Sequence, residues 1–293
     1  KKYDVIFVFT IKSIIYSFFI RSQNAKYIFL ITGLGFLFEK TNSVFIHVLK
    51  KILIIFLKYQ LKIGDQIFFQ NKDDKRLFLK KKILKNDTNV HLINGSGVNL
   101  KKFSFKKNTP KIFTVLMISR IIRSKGINDF FETVKILKKK DKNINFIFCG
   151  QRNIGVNEYD YSDFIDQIKK LKIKLFIDSL RVDKIIMNSS VVVLPTPYRE
   201  GVPRSLLEAI SSGRPVIGTN VPGVREVVLN KWNGYLIPKN SPNILANCIL
   251  KLKRNKNDYN RFRYNSRKLA EEKFDVKIVN KFFLSKISKF LTR

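Results

Sequence analysis

The residues best suited to chemistry lie in one run, Pro195-Thr-Pro-Tyr-Arg-Glu200-Gly-Val-Pro-Arg-Ser-Leu-Leu-Glu208-Ala. The apolar stretch Val191–Leu194 ends just before it, and Pro203 suits the first turn of a helix. The pattern reads as strand, loop and helix, with the helix starting near Val202 or Pro203. Ligands of parallel sheets sit at the carboxyl ends of strands, which puts Glu200 in the crevice ahead of the helix. Glu208, one to two turns in, can return to that crevice. The amides of Gly201, Val202, Arg204 and Ser205 are expected to stay free at the helix N-terminus, where partial positive charge favours an anion. The chemistry on offer is a phosphate seat with two carboxylates beside it. Taken alone, two glutamates seven residues apart also fit a solvated helix face.

A second candidate group is basic. Ile118-Ser-Arg120-Ile-Ile-Arg-Ser-Lys125-Gly126 follows an apolar stretch and precedes an amphipathic one. Arg120 and Lys125 could there neutralise the charge of an anionic ligand without a metal. By itself the segment also fits an ordinary basic turn. Cys149 and Cys248 are far apart in sequence, with no CxxC pair and no nearby histidine, so neither a zinc site nor a disulfide framework is expected. A reducing cytosol fits.

The elements that must position these residues follow from periodicity. Strand-like runs at Val5–Thr10, Tyr27–Thr32 and Gln66–Gln70 alternate with helical stretches at Val44–Leu61 and Asp73–Leu84, which indicates a parallel sheet with crossover helices. The polar segment Ser104–Lys111, with Pro110, reads as a linker. The alternation then restarts. Phe113–Ser119 reads as a strand, Gly126–Lys139 as a helix, and Asn145–Cys149 and Val191–Leu194 as strands, with further signals through Pro215–Gly218, Val224–Leu229, Gly234–Ile237 and Ile244–Lys253. From about Asn257 to Leu291 the pattern is helical. The expected fold class is α/β, with two doubly wound Rossmann-like domains: residues 1–109, residues 110–256, and C-terminal helices over 257–293 that cross back to the first domain.

The form E-G-V-P-R-S-L-L-E-A resembles the E-x7-E signature of retaining, GT-B-type glycosyltransferases of family 4, and Gly213-Arg-Pro-Val-Ile-Gly-Thr-Asn-Val-Pro-Gly-Val-Arg-Glu-Val-Val228 continues that pattern. The segment from Arg120 to Gly126 is similar to the family's R-x4-K-G. The resemblance implies that Glu208 hydrogen-bonds a nucleotide ribose. It implies further that Glu200 contacts the transferred sugar and that Arg120 and Lys125 hold the donor diphosphate. Thr32-Gly33-Leu-Gly35-Phe-Leu-Phe, Phe69-Gln-Asn71-Lys-Asp73 and Asn94-Gly-Ser-Gly97-Val-Asn99 are similar to a bacterial subgroup. Its members add N-acetylated hexosamines or related sugars to undecaprenyl-diphosphate-linked saccharides in protein-glycan, capsule and O-antigen assembly. Gly33 and Gly35 would there let the backbone approach donor or acceptor closely.

Many relatives carry a histidine where Thr32 stands here. His47 and His91 fall in a helix and a strand, where structural roles are expected, so no histidine base is assigned. The implied co-substrate is a nucleotide sugar, UDP-linked in the subgroup, with no cofactor and no required metal. The implied acceptor is a polyprenyl-diphosphate-linked saccharide or a polysaccharide. Against the family's usual first domain, roughly 60 to 70 residues are expected to precede this sequence, so the first domain reads as incomplete. A non-catalytic remnant that binds nucleotide or lipid therefore stands as the alternative.

Charge narrows the partners. The chain carries 57 Lys and Arg against 22 Asp and Glu, a formal net charge of +35, which favours anionic partners. Lysine sits in a background rich in Asn, Ile and Phe, so part of the excess reflects coding bias. No RRM, KH, zinc-finger or helix-turn-helix signature appears, and no nucleic-acid partner is expected. Val5–Ile20, flanked by Lys1, Lys2 and Arg21, is apolar but interrupted by Lys12, which argues for a strand and a helix over a spanning segment. Val44–Lys62 is apolar and dotted with lysine, which fits either an interfacial helix or a crossover helix packed on the sheet. In the first case Lys50, Lys51, Lys58 and Lys62 would favour an anionic membrane. The expected location is cytoplasmic, peripheral on the inner face of the plasma membrane.

Overall fold

The computed structural model describes residues 3–20, 24–38, 42–84, 88–106, 109–152 and 159–290. Lys1, Lys2, Arg21, part of the segment Ser104–Lys111 and the end of the last helical stretch at Leu291 lie outside the described residues. The chain divides into two compact units.

The first unit is built on strands β1 (Val5–Phe9), β2 (Lys26–Ile31), β3 (Gln66–Phe69) and β4 (Val90–Leu92), paired in parallel in that order. Helices α1 (Ile11–Tyr16), α2 (Val44–Ile63) and α3 (Lys72–Lys80) connect them. One face of the sheet buries Phe29, Ile31, Ile67 and Phe69 against Ile14, Leu57, Leu61 and Phe78 from the helices. Parallel strands covered on both faces are mostly apolar, and β3 is buried at all four positions, with its one polar residue, Gln66, hydrogen-bonded to His91. α2 begins at Ser43, whose hydroxyl accepts from the Ile46 amide. α3 begins at Asn71, whose side-chain oxygen accepts from the Asp74 amide at 2.8 Å.

The second unit is a six-stranded parallel sheet in the order β10-β9-β8-β5-β6-β7. Its strands are β5 (Phe113–Ile121), β6 (Ile144–Arg152), β7 (Lys174–Ile177), β8 (Val191–Leu194), β9 (Val216–Thr219) and β10 (Gly234–Ile237). Helices α4 (Ile127–Lys140), α5 (Tyr161–Lys170), α6 (Val182–Met187), α7 (Arg204–Ser211), α8 (Val224–Val227), α9 (Pro242–Arg254) and α10 (Lys256–Leu269) link and cover them. The first three strands run outward in one direction from β5 and the last three in the other. The order therefore reverses between β5 and β8. The core gathers Val115, Met117, Phe130, Phe148, Phe164, Val193 and Phe262, with Phe148 and Phe164 meeting edge to face at 5.0 Å.

Residues 98–106, read from the sequence as the tail of the first domain, are fastened into the second unit. The Val98 amide donates to Phe274 O (2.8 Å) and Ser211 Oγ to Phe103 O (2.7 Å). Arg267 Nη1 reaches Ser211 O at 2.8 Å. These long-range bonds outweigh the polar composition of the segment that follows. α10 passes through a π-helical turn, Ala270–Phe274, into α11 (Val276–Ile287). From Lys277 on, the chain counts with the first unit, where Val279 and Ile287 pack with Ile28, Phe68 and Ile93. No helix among the described residues is long and apolar enough to cross a membrane.

Candidate functional site

Strands β5 and β8 flank the point where the sheet order reverses, and each of the two sequence motifs leaves one of them. That is where doubly wound sheets open a crevice for ligands. Arg120 stands near the carboxyl end of β5, beside Gln151 of β6, with its side chain exposed. The chain then makes a tight turn, Arg123–Lys125, closed by Gly126 in the left-handed region at φ 75°. Lys125, half-buried, ends that turn.

The loop that leaves β8 packs directly on this turn. Thr196 Oγ1 donates to Ser124 O at 2.9 Å, and a Cβ on Gly126 would lie 2.1 Å from Pro195 O. Only glycine fits, both for its φ and for the approach. The basic turn and the proline-bearing loop are thus one constructed surface. Placement of Arg120 and Lys125 follows from it.

α7 starts at Arg204, with Pro203 as its cap. Pro203 O accepts from the amides of Leu206 (3.1 Å) and Leu207 (3.2 Å), while among the described residues the amides of Arg204 and Ser205 have no hydrogen-bond partner. Glu208 lies one turn on and is buried. Arg204 Nε donates to its Oε1 at 3.0 Å. Burial holds the Glu208 carboxyl above the usual carboxylate range, and the charges of Arg204 and Lys102 pull the other way. Sequence reasoning missed Lys102, because nothing local ties residues 98–106 to α7. On the neighbouring β6, burial and then the Glu208 charge push the Cys149 thiol up to about 11.

Glu200, Gly201 and Val202 count with the first unit. There the segment 199–202 is held by the turn after β3. Arg199 ion-pairs with Asp74 at 2.7 Å, Asn71 Nδ2 donates to Glu200 O at 3.3 Å, and the Val202 amide donates to Gln70 Oε1 at 3.0 Å. A Cβ on Gly201 would fall 1.9 Å from Thr32 O, and one on Gly33 would lie 3.4 Å from Gly201 N. The expectation of a free Val202 amide is therefore corrected: the Gln70 side chain occupies it. Gly35, at φ 52°, opens a short 3-10 helix and is exposed, with open space around its missing side chain. Gln70, Asp74 and Arg199 had no motif of their own. Their only signal was adjacency to Asn71 and Glu200 in the quoted segments.

His91 hydrogen-bonds Gln66 and its ring contacts Phe68, a structural role, while His47 is exposed on α2. Among the described residues no group of three or more His, Cys, Asp or Glu side chains could hold a metal ion.

The fold class is that of GT-B proteins, with two Rossmann-like parallel α/β domains. The chain belongs to the glycosyl transferases group 1 family, whose model matches residues 98–269, more than half of the sequence. It is 27% identical over 195 residues to the capsular polysaccharide biosynthesis glycosyltransferase CapM of Staphylococcus aureus, covering 63% of this chain and 50% of that one. It is 28% identical over 190 residues to an N,N'-diacetylbacillosaminyl-diphospho-undecaprenol alpha-1,3-N-acetylgalactosaminyltransferase of Campylobacter jejuni, covering 60% of this chain and 48% of the relative. The chain spans about half the length of these curated relatives. Among solved structures, TarM superposes with a TM-score of 0.76 at 20% identity, over 96% of this chain and 54% of TarM. Anabaena HepE in complex with UDP superposes with a TM-score of 0.79 at 17% identity, over 98% of this chain and 79% of HepE.

Proposed function

We propose that this chain acts as a retaining glycosyltransferase that takes a sugar, an N-acetylhexosamine, from a UDP-linked donor and attaches it to a lipid-linked or surface-polysaccharide acceptor. The observation that carries the reading is that the R-x4-K-G turn and the E-x7-E loop leave the two strands at the sheet reversal and pack on each other. In this reading Arg120, Lys125 and the amides of Arg204 and Ser205 hold the donor diphosphate. Glu208 accepts hydrogen bonds from the ribose hydroxyls. Glu200, on the same loop, faces the sugar and stabilises the positive charge that develops at its anomeric carbon.

The bond between anomeric carbon and diphosphate oxygen breaks. The acceptor oxygen bonds to that carbon on the same face, and its proton passes to the leaving diphosphate oxygen. Arg120 and Lys125 take up the charge on the leaving group, so the reading needs no metal and no histidine base. An acceptor carried on a polyprenyl diphosphate places the work at the inner face of a bacterial plasma membrane, by peripheral attachment. The CapM and Campylobacter relatives support the acceptor class by name, and the UDP complex of HepE supports the donor base.

The test is sugar transfer and donor hydrolysis by the purified chain, screened across nucleotide sugars. Glu208→Ala and Lys125→Ala are each expected to lower turnover by about 10²-fold or more. Parental activity in both variants would overturn the site. Nucleotide binding without turnover on any acceptor would instead identify a binding module.

A further inference from the structure

The helix α2 serves two faces. Leu57 and Leu61 point into the first unit's core, and Lys50, expected at a membrane surface, is buried with them. It drops out of any docking role. On the opposite side Val44, Phe45, Val48, Ile52, Ile55 and Tyr59 are all exposed, Phe45 at 77% and Ile55 at 66%. At 3.6 residues per turn these six fall within about 100° of arc, one continuous stripe along the helix. The stripe widens at the end of α1, where exposed Phe18 meets the rings of Phe56 (5.0 Å) and Tyr59 (5.5 Å) and Phe19 meets Phe56 (6.1 Å).

Charge lines one edge of that stripe. Lys51, Lys58 and Lys62 are exposed, and on the helical wheel they lie on one border of the apolar arc. Neither α1 nor α2 contains an Asp or Glu. At the C-terminal end of α2 a cavity of about 610 Å³ opens, lined by Lys58, Lys62 and Lys82 together with Tyr59, Thr88 and Asn89.

We propose that this face, the α2 stripe with Phe18 and Phe19, seats the protein on an anionic phospholipid bilayer. The apolar side chains enter the interfacial layer, and Lys58, Lys62 and Lys82 gather lipid phosphates in the cavity. A helix that is too charged to span and too apolar on one side to be solvated fits an interface plane, and aromatic rings favour the headgroup level. Self-association through the same face is opposed by charge. A two-fold contact sets the patch against its own copy, which brings together two lysine-bearing helices with no Asp or Glu on α1 or α2 to pair them. The inference concerns a different part of the chain from the donor seat but rests on the reading of a lipid-linked acceptor.

The experiment is co-sedimentation of the full chain with phosphatidylcholine vesicles, with and without phosphatidylglycerol, at low and high salt. Binding is expected only with phosphatidylglycerol and is expected to weaken as salt rises. The triple variant Lys58→Ala/Lys62→Ala/Lys82→Ala is expected to lower partition on the order of a hundred-fold. Phe45→Ser/Ile55→Ser is expected to abolish it, with circular dichroism and nucleotide binding unchanged. Parental binding by both variants would overturn the proposal, and so would a dimer in which hydrogen exchange protects α2. Nucleotide binding is measured separately, so loss of the donor site and loss of this surface are read apart.

Discussion

Arg199 donates through Nε and Nη2 to the same Oδ1 of Asp74, at 3.2 and 2.7 Å, and so ties the residue before Glu200 to the first turn of α3. Asp74 is almost wholly buried, and Asn71 Nδ2 donates to its other oxygen at 2.8 Å. Burial raises the Asp74 pKa, against the Arg199 and Asn71 hydrogen bonds. The folded state thus binds this proton more tightly than the unfolded chain does. Its contribution to stability falls as pH climbs from the ordinary aspartate range through the raised value, then stays level. Removing the cation strands the carboxylate. Arg199→Met is expected to cost about 2 kcal/mol, below the cost for a fully buried pair because Arg199 is partly exposed. Denaturant unfolding measures it, and an unchanged midpoint would refute the structural role.

Glu208 offers a pH signature. With its carboxyl held above the ordinary range by burial, Glu208 keeps a proton more readily than an exposed glutamate does, and a ribose gripped by the carboxylate must displace that proton wherever it is bound. Nucleotide affinity is expected to fall as pH drops through that raised value, by up to tenfold per unit. Glu208→Gln should bind more weakly and without this slope. Calorimetry in buffers of different ionisation enthalpy detects the proton, and identical pH profiles would remove Glu208 from the ribose.

Gly126 tests how the two motif loops are joined. Gly126→Ala places a Cβ against Pro195 O and forces a side-chain residue into the left-handed region. A destabilisation of at least about 2 kcal/mol is expected, together with weaker nucleotide binding. Gly35→Ala, with open space around it, should cost only about 1 kcal/mol, from its φ. Thermal unfolding compares the two, and equal effects would deny the packing role.

Cys149 should be inert. Its thiol is buried and pushed up to about 11, so almost no thiolate forms near neutral pH. Iodoacetamide labelling followed by mass spectrometry is expected to leave Cys149 unmodified until denaturant is added. Rapid labelling of the folded chain would contradict the burial of Cys149 in β6.

Much of the second unit was legible because its signals are local. Val191–Leu194 is apolar at every position, as a strand covered on both faces must be, and Pro203 and Gly126 mark the turns around it. The start of α7 at Arg204 was legible to within two residues, since a proline suits a helix start but does not say which residue is the cap. The role of residues 98–106 was not legible. Their attachment rests on Phe274, Ser211 and Arg267, more than a hundred positions away.

The sequence by itself determined the alternation of strands and helices and the two motifs, because hydrophobic period and turn chemistry act over a few neighbours. Tertiary structure alone decided that Gln70 takes the Val202 amide, that Asp74 takes Arg199, and that Lys50 faces inward while Ile55 faces out. Each of those depends on which distant segment arrives opposite a residue, and no spacing along the chain encodes that.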